Sequence, residues 1–264
     1  MNNKQEIVEN WLPRYTGVPL EGFGQYIILT NFKDYVKHFA EMMGAEIRGE
    51  DRPMQSATKD NISIINFQMG SPMAATIMDL LTAIMPKAVL FLGKTGSLKS
   101  YIGLGELILP IAAIRGEGTS NDYFPPEVPA LPAFNLEKAI STTIRDHGRE
   151  YWTGTVYTTN RRVWEHDEEF KSYLRRIRTT AVDMETATLF SVGFYNRIPT
   201  GALLLVSDQP MQPDGIKTEK SDKAVTANYA KEHLQIGIES LQQLINKGIT
   251  VKHLRFDYYE GEDK

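Results

Sequence analysis

The sequence predicts an α/β protein with a mostly parallel sheet covered by helices. Three observations carry that reading. Short β-rich apolar runs alternate with stretches at helical spacing along most of the chain. Loops that are small or carry charge follow several strand-like runs, as at the carboxyl ends of parallel strands. Finally, 264 residues with 42% hydrophobic and 23% charged side chains can bury a sizeable core without staples.

Taken in order, Tyr26 to Thr30 reads as a strand and Phe32 to Met43 as a helix. Ile62 to Phe67 is a strand, and the stretch after Pro72 is helical, with Ala74, Ala75, Ile77, Met78 and Leu81 at helical spacing. Ala88 to Leu92 reads as a buried strand, followed by a small-residue loop, Gly93-Lys94-Thr95-Gly96-Ser97. Leu107 to Arg115 is extended, Leu136 to His147 helical and Trp152 to Thr158 a strand. The basic stretch Lys171 to Arg178 follows acidic Asp167-Glu168-Glu169, which suits a solvated helix with paired charges. Met184 to Tyr195 is helical, Gly201 to Val206 an apolar strand, and a long helix runs from about Asp222 to Leu244, ending at Lys247-Gly248. The Pro-rich segment from Pro125 to Pro132 is expected to be an ordered loop within one domain. The tail from Val251 to Lys264 is aromatic and then charged, and its end is expected to be loose.

Composition excludes several classes. Zero cysteine rules out disulfides, thiolate catalysis and sulfur-based metal sites. A net charge of -4, from 29 Lys+Arg and 33 Asp+Glu, argues against bulk nucleic-acid binding. No apolar run approaches the ~20 residues of a membrane span, and the start of the chain lacks a signal-peptide core. A cytoplasmic location follows as an expectation. The five histidines have no metal-ligand spacing, so no metal is expected. Gly93-Lys94-Thr95 imitates the end of a P-loop, but Ala88 stands where its first glycine belongs.

Four segments are unusual. At Met69-Gly70-Ser71-Pro72 a strand enters a helix through residues whose N–H groups suit an anion or form a plain capped turn. The Gly93 to Ser97 loop follows a buried strand. At Val206-Ser207-Asp208 a carboxylate sits at the mouth of an apolar strand, placed either to act as an acid or to cap a turn. In Val182-Asp183-Met184-Glu185 two carboxylates flank a Met where a strand becomes a helix. They suit sugar hydroxyls or the helix dipole.

In that order and spacing, these four motifs resemble the nucleoside phosphorylase family. The stretch Gly154 to Glu165, the Phe124-Pro125-Pro126 loop and Glu232 to Ile238 resemble its AMP-hydrolysing branch. The resemblance covers about residues 26–256. It implies a single-domain, three-layer fold over 1–264, with a mixed central sheet flanked by helices and a core at about 26–250. The activity implied is hydrolysis of AMP to adenine and ribose 5-phosphate, without metal or organic cofactor. A homohexamer built from dimers, with sites shared between subunits, is implied as well.

By the same resemblance, Asp208 protonates purine N7 with Ser207 orienting it, and Asp183, Met184 and Glu185 hold the ribose. Candidates for the 5′-phosphate are Lys33, Arg48, Lys94, Thr95, Arg115 and the Gly70-Ser71 turn. Arg48 resembles the arginine that reaches a neighbouring subunit's site. Adenine is expected near Tyr157 and Trp164, either of which is equally suited to the core. Lys217 or Lys223 either closes over the purine or lies on the surface. The chain departs from the family in two ways. The extra N-terminal domain of longer members is not in this sequence, and Leu29-Thr30-Asn31-Phe32-Lys33 replaces the phosphorylases' Gly-Asp-Pro-x-Arg phosphate turn. The second departure favours water over phosphate as nucleophile. Two other readings stay open: an enzyme of unphosphorylated nucleosides, and a non-catalytic nucleotide binder of the same fold.

Overall fold

The computed structural model describes residues 3–247. In chain order the helices are α1 (Lys4–Thr16), α2 (Lys33–Met43), α3 (Ser71–Leu80), α4 (Phe134–Asp146), α5 (Glu168–Arg176), α6 (Thr186–Tyr195) and α7 (Glu219–Lys247). The strands are β1 (Tyr26–Thr30), β2 (Ile47–Arg48), β3 (Gln55–Lys59), β4 (Ile62–Asn66), β5 (Ala88–Ser97), β6 (Leu107–Gly116), β7 (Trp152–Thr159), β8 (Ala181–Asp183) and β9 (Thr200–Asp208).

All nine strands join one sheet in the order β2-β3-β4-β1-β5-β8-β7-β6-β9, and β9 returns to pair with β5. One half of the sheet is therefore open, and the other half closes on itself through five strands. The sheet is mixed: β1 runs parallel to β4 and β5, β5 to β9, and β7 to β6 and β8, while β2–β3, β3–β4, β5–β8 and β6–β9 are antiparallel.

Why the central strands read as unbroken apolar runs is visible in their neighbours. Ile27, Leu29, Val89, Phe91, Leu204 and Val206 pack on one side, against α1, α3 and α6. Ile28, Leu90, Leu92, Leu203 and Leu205 pack on the other, against α2, α4 and α7. Successive side chains point to opposite faces, so a strand covered on both faces must be apolar at every position. A third cluster, with Tyr157, Trp164, Leu174 and Val182, fills the space near α5.

The structure revises several sequence-based boundaries. Gly93 to Ser97 is not a loop, because β5 continues through it, pairing with β9 as far as Gly96 and with β8 at Gly96 and Ser97. Small residues are needed there because neighbours crowd the backbone: a Cβ on Gly93 would lie 2.3 Å from the Phe91 ring. The strand ending at Val206 extends to Asp208, α6 begins at Thr186 rather than Met184, and α7 begins at Glu219. Three elements with no continuous apolar run, α1, β2 and β3, escaped the sequence reading. The basic stretch is helical, as α5, with Asp167 capping its start and Lys171 2.8 Å from Glu168. The segment 125–132 lies along β6, where Ala130 pairs with Ala113. The expected stop at Gly248 and the tail from Val251 lie outside the described residues.

Candidate active site

A cleft opens where the carboxyl ends of β1, β5, β7 and β9 meet β8. Strand ends are where an α/β sheet leaves a ligand site. A bulge creates it. The β5–β9 register slips between Thr95 and Gly96, which brings Gly96 opposite Asp208. Bulges commonly re-aim side chains beside active sites. Gly96 is required here, since a Cβ would lie 2.9 Å from Asp208 Oδ2 and 3.1 Å from Pro210.

At this mouth Ser207 Oγ donates to Asp208 Oδ1 at 2.6 Å. Burial pushes the Asp208 carboxyl above its usual range. The Ser207 hydrogen bond and the charges of Lys217 and Arg162 oppose that rise, and Glu165 adds to it. Asp208 is thus a carboxyl biased toward keeping its proton in a cleft lined by Lys217, Arg162 and Glu165.

Across the junction of β8 and α6 lie the other two carboxylates. Glu185 is buried; its Oε1 accepts the Gly70 N–H at 2.7 Å and its Oε2 the Met184 N–H at 3.3 Å. Burial, then the Asp183 charge, pushes it up to about 7, against hydrogen bonds from Gly70, Asn31 and Met184. Asp183 is also raised by burial. Its Oδ1 accepts from Thr158 Oγ1 at 2.7 Å, and its Oδ2 accepts both the N–H and the hydroxyl of Thr186. Asp183 therefore fastens the start of α6 to β7. Met184 lines the cleft between the two carboxylates.

A cation cluster forms one edge. The Lys94 ammonium is bound by Asp222 Oδ1 and Thr226 Oγ1, each at 2.7 Å, and lies 4.3 Å from the centre of the Phe32 ring. Burial lowers its pKa despite Asp222. Lys217 shares the same carboxylate at 3.1 Å. Lys223 instead pairs with Glu219 at the surface of α7.

Of the residues singled out in the sequence, the cleft is lined by Lys94, Thr95, Trp164, Asp183, Met184, Glu185, Ser207, Asp208 and Lys217. Several phosphate candidates are engaged elsewhere. Gly70 and Ser71 hold the ribose-side turn, since Ser71 Oγ donates to the Met184 carbonyl at 2.7 Å. Thr95 Oγ1 donates to the Val182 carbonyl. Arg115 lies outside the cleft lining. Its guanidinium donates to the carbonyls of Ser120, Phe124, Pro125 and Val128, which is why an anion role does not fit it. Lys33 opens α2 beside the lining residues Asn31 and Phe32 without lining the cleft itself. Arg48 is exposed on β2, paired with Glu46 at 2.6 Å and facing a different cleft. Tyr157 sits behind the wall, packed edge-on to Phe170 and Tyr173. Residues the sequence reading missed are Asn31, Arg161, Arg162 and Glu165. Asn31 carried a signal, because it stands just past a strand end.

Among the described residues, no group of three or more His, Asp or Glu is placed to hold a metal, and no helix is long and apolar enough to cross a membrane. The model of the phosphorylase superfamily matches residues 25–247. The chain belongs to that superfamily. Within the superfamily it is 27% identical to the AMP nucleosidase of Escherichia coli K12, over 90% of this chain. It spans only 58% of the length of that relative. A uridine phosphorylase of Treponema pallidum is 23% identical over 88% of this chain and 94% of its own. Among solved superfamily structures, an AMP nucleosidase from Bacteroides thetaiotaomicron is 56% identical, with a TM-score of 0.84, covering 93% of this chain and 99% of that one. The three-layer arrangement with a mixed sheet is the fold of this superfamily.

Proposed function

We propose that this chain hydrolyses the N-glycosidic bond of AMP, giving adenine and ribose 5-phosphate. One observation carries the reading: the Ser207–Asp208 pair and Glu185 line a single cleft, in a chain 56% identical to a protein named AMP nucleosidase. The C1′–N9 bond breaks as the departing base takes a proton at N7 from Asp208, a water oxygen bonds to C1′ as that water releases a proton to solvent, and solvent returns a proton to Asp208. Burial raises the Asp208 carboxyl and so favours the protonated form that can serve as acid. Glu185 takes the ribose hydroxyls, with Met184 against the sugar face, and its charge favours the cation-like sugar of the transition state. Asp183 acts on the ribose only by fixing the turn that carries Met184 and Glu185. Trp164 forms the aromatic wall for adenine.

Water is the nucleophile in this reading. The first strand leads into Asn31-Phe32-Lys33, and the Lys94 ammonium beside Phe32 is held by Asp222, which favours water over inorganic phosphate at that end. The same reading carries coarser proposals: one catalytic domain, a cytoplasmic location, and a homohexamer of dimers in which exposed Arg48 reaches a neighbouring site.

The test is product analysis with AMP and with adenosine, each with and without phosphate. Adenine and ribose 5-phosphate from AMP alone are the expected products. Adenine from adenosine only in the presence of phosphate would assign phosphorolysis instead, and nucleotide binding without any release of base would make the chain a binder.

A further inference from the structure

Glu165 has no part in the chemistry above, yet its carboxylate sits in the cleft on the loop between β7 and α5. Its side chain is only 12% exposed. Oε2 accepts the Trp164 N–H at 3.0 Å and Oε1 faces Arg162 Nη1 at 3.3 Å. Each oxygen thus has one donor, and a carboxylate oxygen can accept two. Trp164, to which it is tied, is 4% exposed and wedged edge-on against Phe170, so the carboxylate is aimed by a rigid support. Glu165 and Asp208 line the same cleft.

Purine chemistry decides what such a neighbour meets. Adenine presents N7 as an acceptor with the 6-amino donor beside it. A 6-oxopurine presents two acceptors on that edge. A group next to an acid at N7 therefore faces the substituent at C6. A carboxylate can only accept there.

We propose that Glu165 is the specificity-determining residue of the cleft, accepting a hydrogen bond from the 6-amino group and repelling a 6-oxo group. The inference rests on the N7 role given to Asp208, and it makes the substrate class 6-aminopurine nucleotides.

The experiment compares kcat/KM for AMP and IMP in the wild-type chain and in Glu165→Gln. The wild type is expected to favour AMP by at least about 10²-fold, since sites built around a hydrogen bond reject analogues that leave it unmade. The Gln amide can turn either its oxygen or its nitrogen to the base, so the variant's AMP:IMP ratio is expected to fall by about 10-fold or more. A parallel loss on both substrates, with the ratio kept, would reduce Glu165 to a loop support and overturn the proposal. Equal use of AMP and IMP by the wild type would overturn it without any variant. Calorimetric binding of free adenine and hypoxanthine to the full chain gives a readout independent of turnover. Preference for adenine, weakened in Glu165→Gln, is expected even if neither nucleotide is cleaved, an outcome that would sink the hydrolase reading alone. Equal binding of the two bases by the wild type would overturn the Glu165 assignment alone.

Discussion

Asp183 and Glu185 stand two residues apart where β8 turns into α6, and burial pushes both above the usual carboxylate range. Their surroundings differ. Asp183 takes donors from Thr158 and from both the N–H and the hydroxyl of Thr186, so its oxygens tie a helix start to a strand. Glu185 has one short bond from Gly70, a longer one at 3.3 Å from Met184 and a side-chain bond from Asn31, itself a residue of the cleft lining, with the like charge of Asp183 beside it. The contrast teaches that a carboxylate at a strand–helix junction is committed to the fold or left for a ligand by how fully the chain satisfies it, not by its place in a motif.

The largest effect that sharpens this contrast is on stability. Asp183→Ala leaves the Thr158 and Thr186 donors buried without an acceptor, and is expected to cost about 3 kcal/mol or more in denaturant unfolding. Glu185→Gln keeps the shape and the Gly70 contact. It is expected to reduce AMP hydrolysis by about 10²-fold, equivalent to about 2.7 kcal/mol, while the unfolding midpoint at pH 5 moves little. Equal stability losses in the two variants would erase the distinction.

A pH series probes the same pair more gently. Glu185 is raised from 4.5 to about 7 in the folded chain. Between those values the unfolded chain has released a proton that the folded chain retains, so stability falls as pH rises through the window. Glu185→Gln is expected to remove roughly 1–3 kcal/mol of that fall, read as a flatter plot of unfolding free energy against pH. A curve unchanged in slope would mean that Glu185 is ionised throughout.

The smallest effect is expected at Arg115, which resembles Asp183 in being spent on its own chain. Arg115→Lys loses the fan of bonds to the loop carbonyls and is expected to cost ~1–2 kcal/mol of stability. KM for AMP should not change. A raised KM would return Arg115 to the phosphate site.

Much of the fold was legible because β1, β5 and β9 are apolar on both faces, a pattern that survives without any knowledge of partners. The extension of β5 through Gly93–Ser97 was not, since small polar residues there look like a loop until β8, β9 and the bulge are seen to hold them. Ser207, Asp208, Met184 and Glu185 were legible because they stand at or just past the ends of apolar strands. Gly70, Ser71, Thr95 and Arg115 were read as candidate anion contacts, and in the fold each has a donor engaged by the chain itself. A free donor and a donor spent on the Met184 or Val182 carbonyl have the same sequence, and only tertiary packing separates them. Glu165 reaches the cleft from a loop with no periodicity to mark it, whereas Asn31 follows β1 directly and carried the same signal as the residues after other strands.

Asp208→Asn tests the central claim most directly. Asn keeps the size of the side chain and its contact with Ser207 but has no proton to lend. With AMP as substrate, turnover is expected to fall by about 10²–10⁴-fold, and the pH at which the wild-type rate declines on the alkaline side should vanish from the residual rate. Circular dichroism and the unfolding midpoint should stay at wild-type values. Undiminished turnover in a folded Asp208→Asn chain would contradict the account.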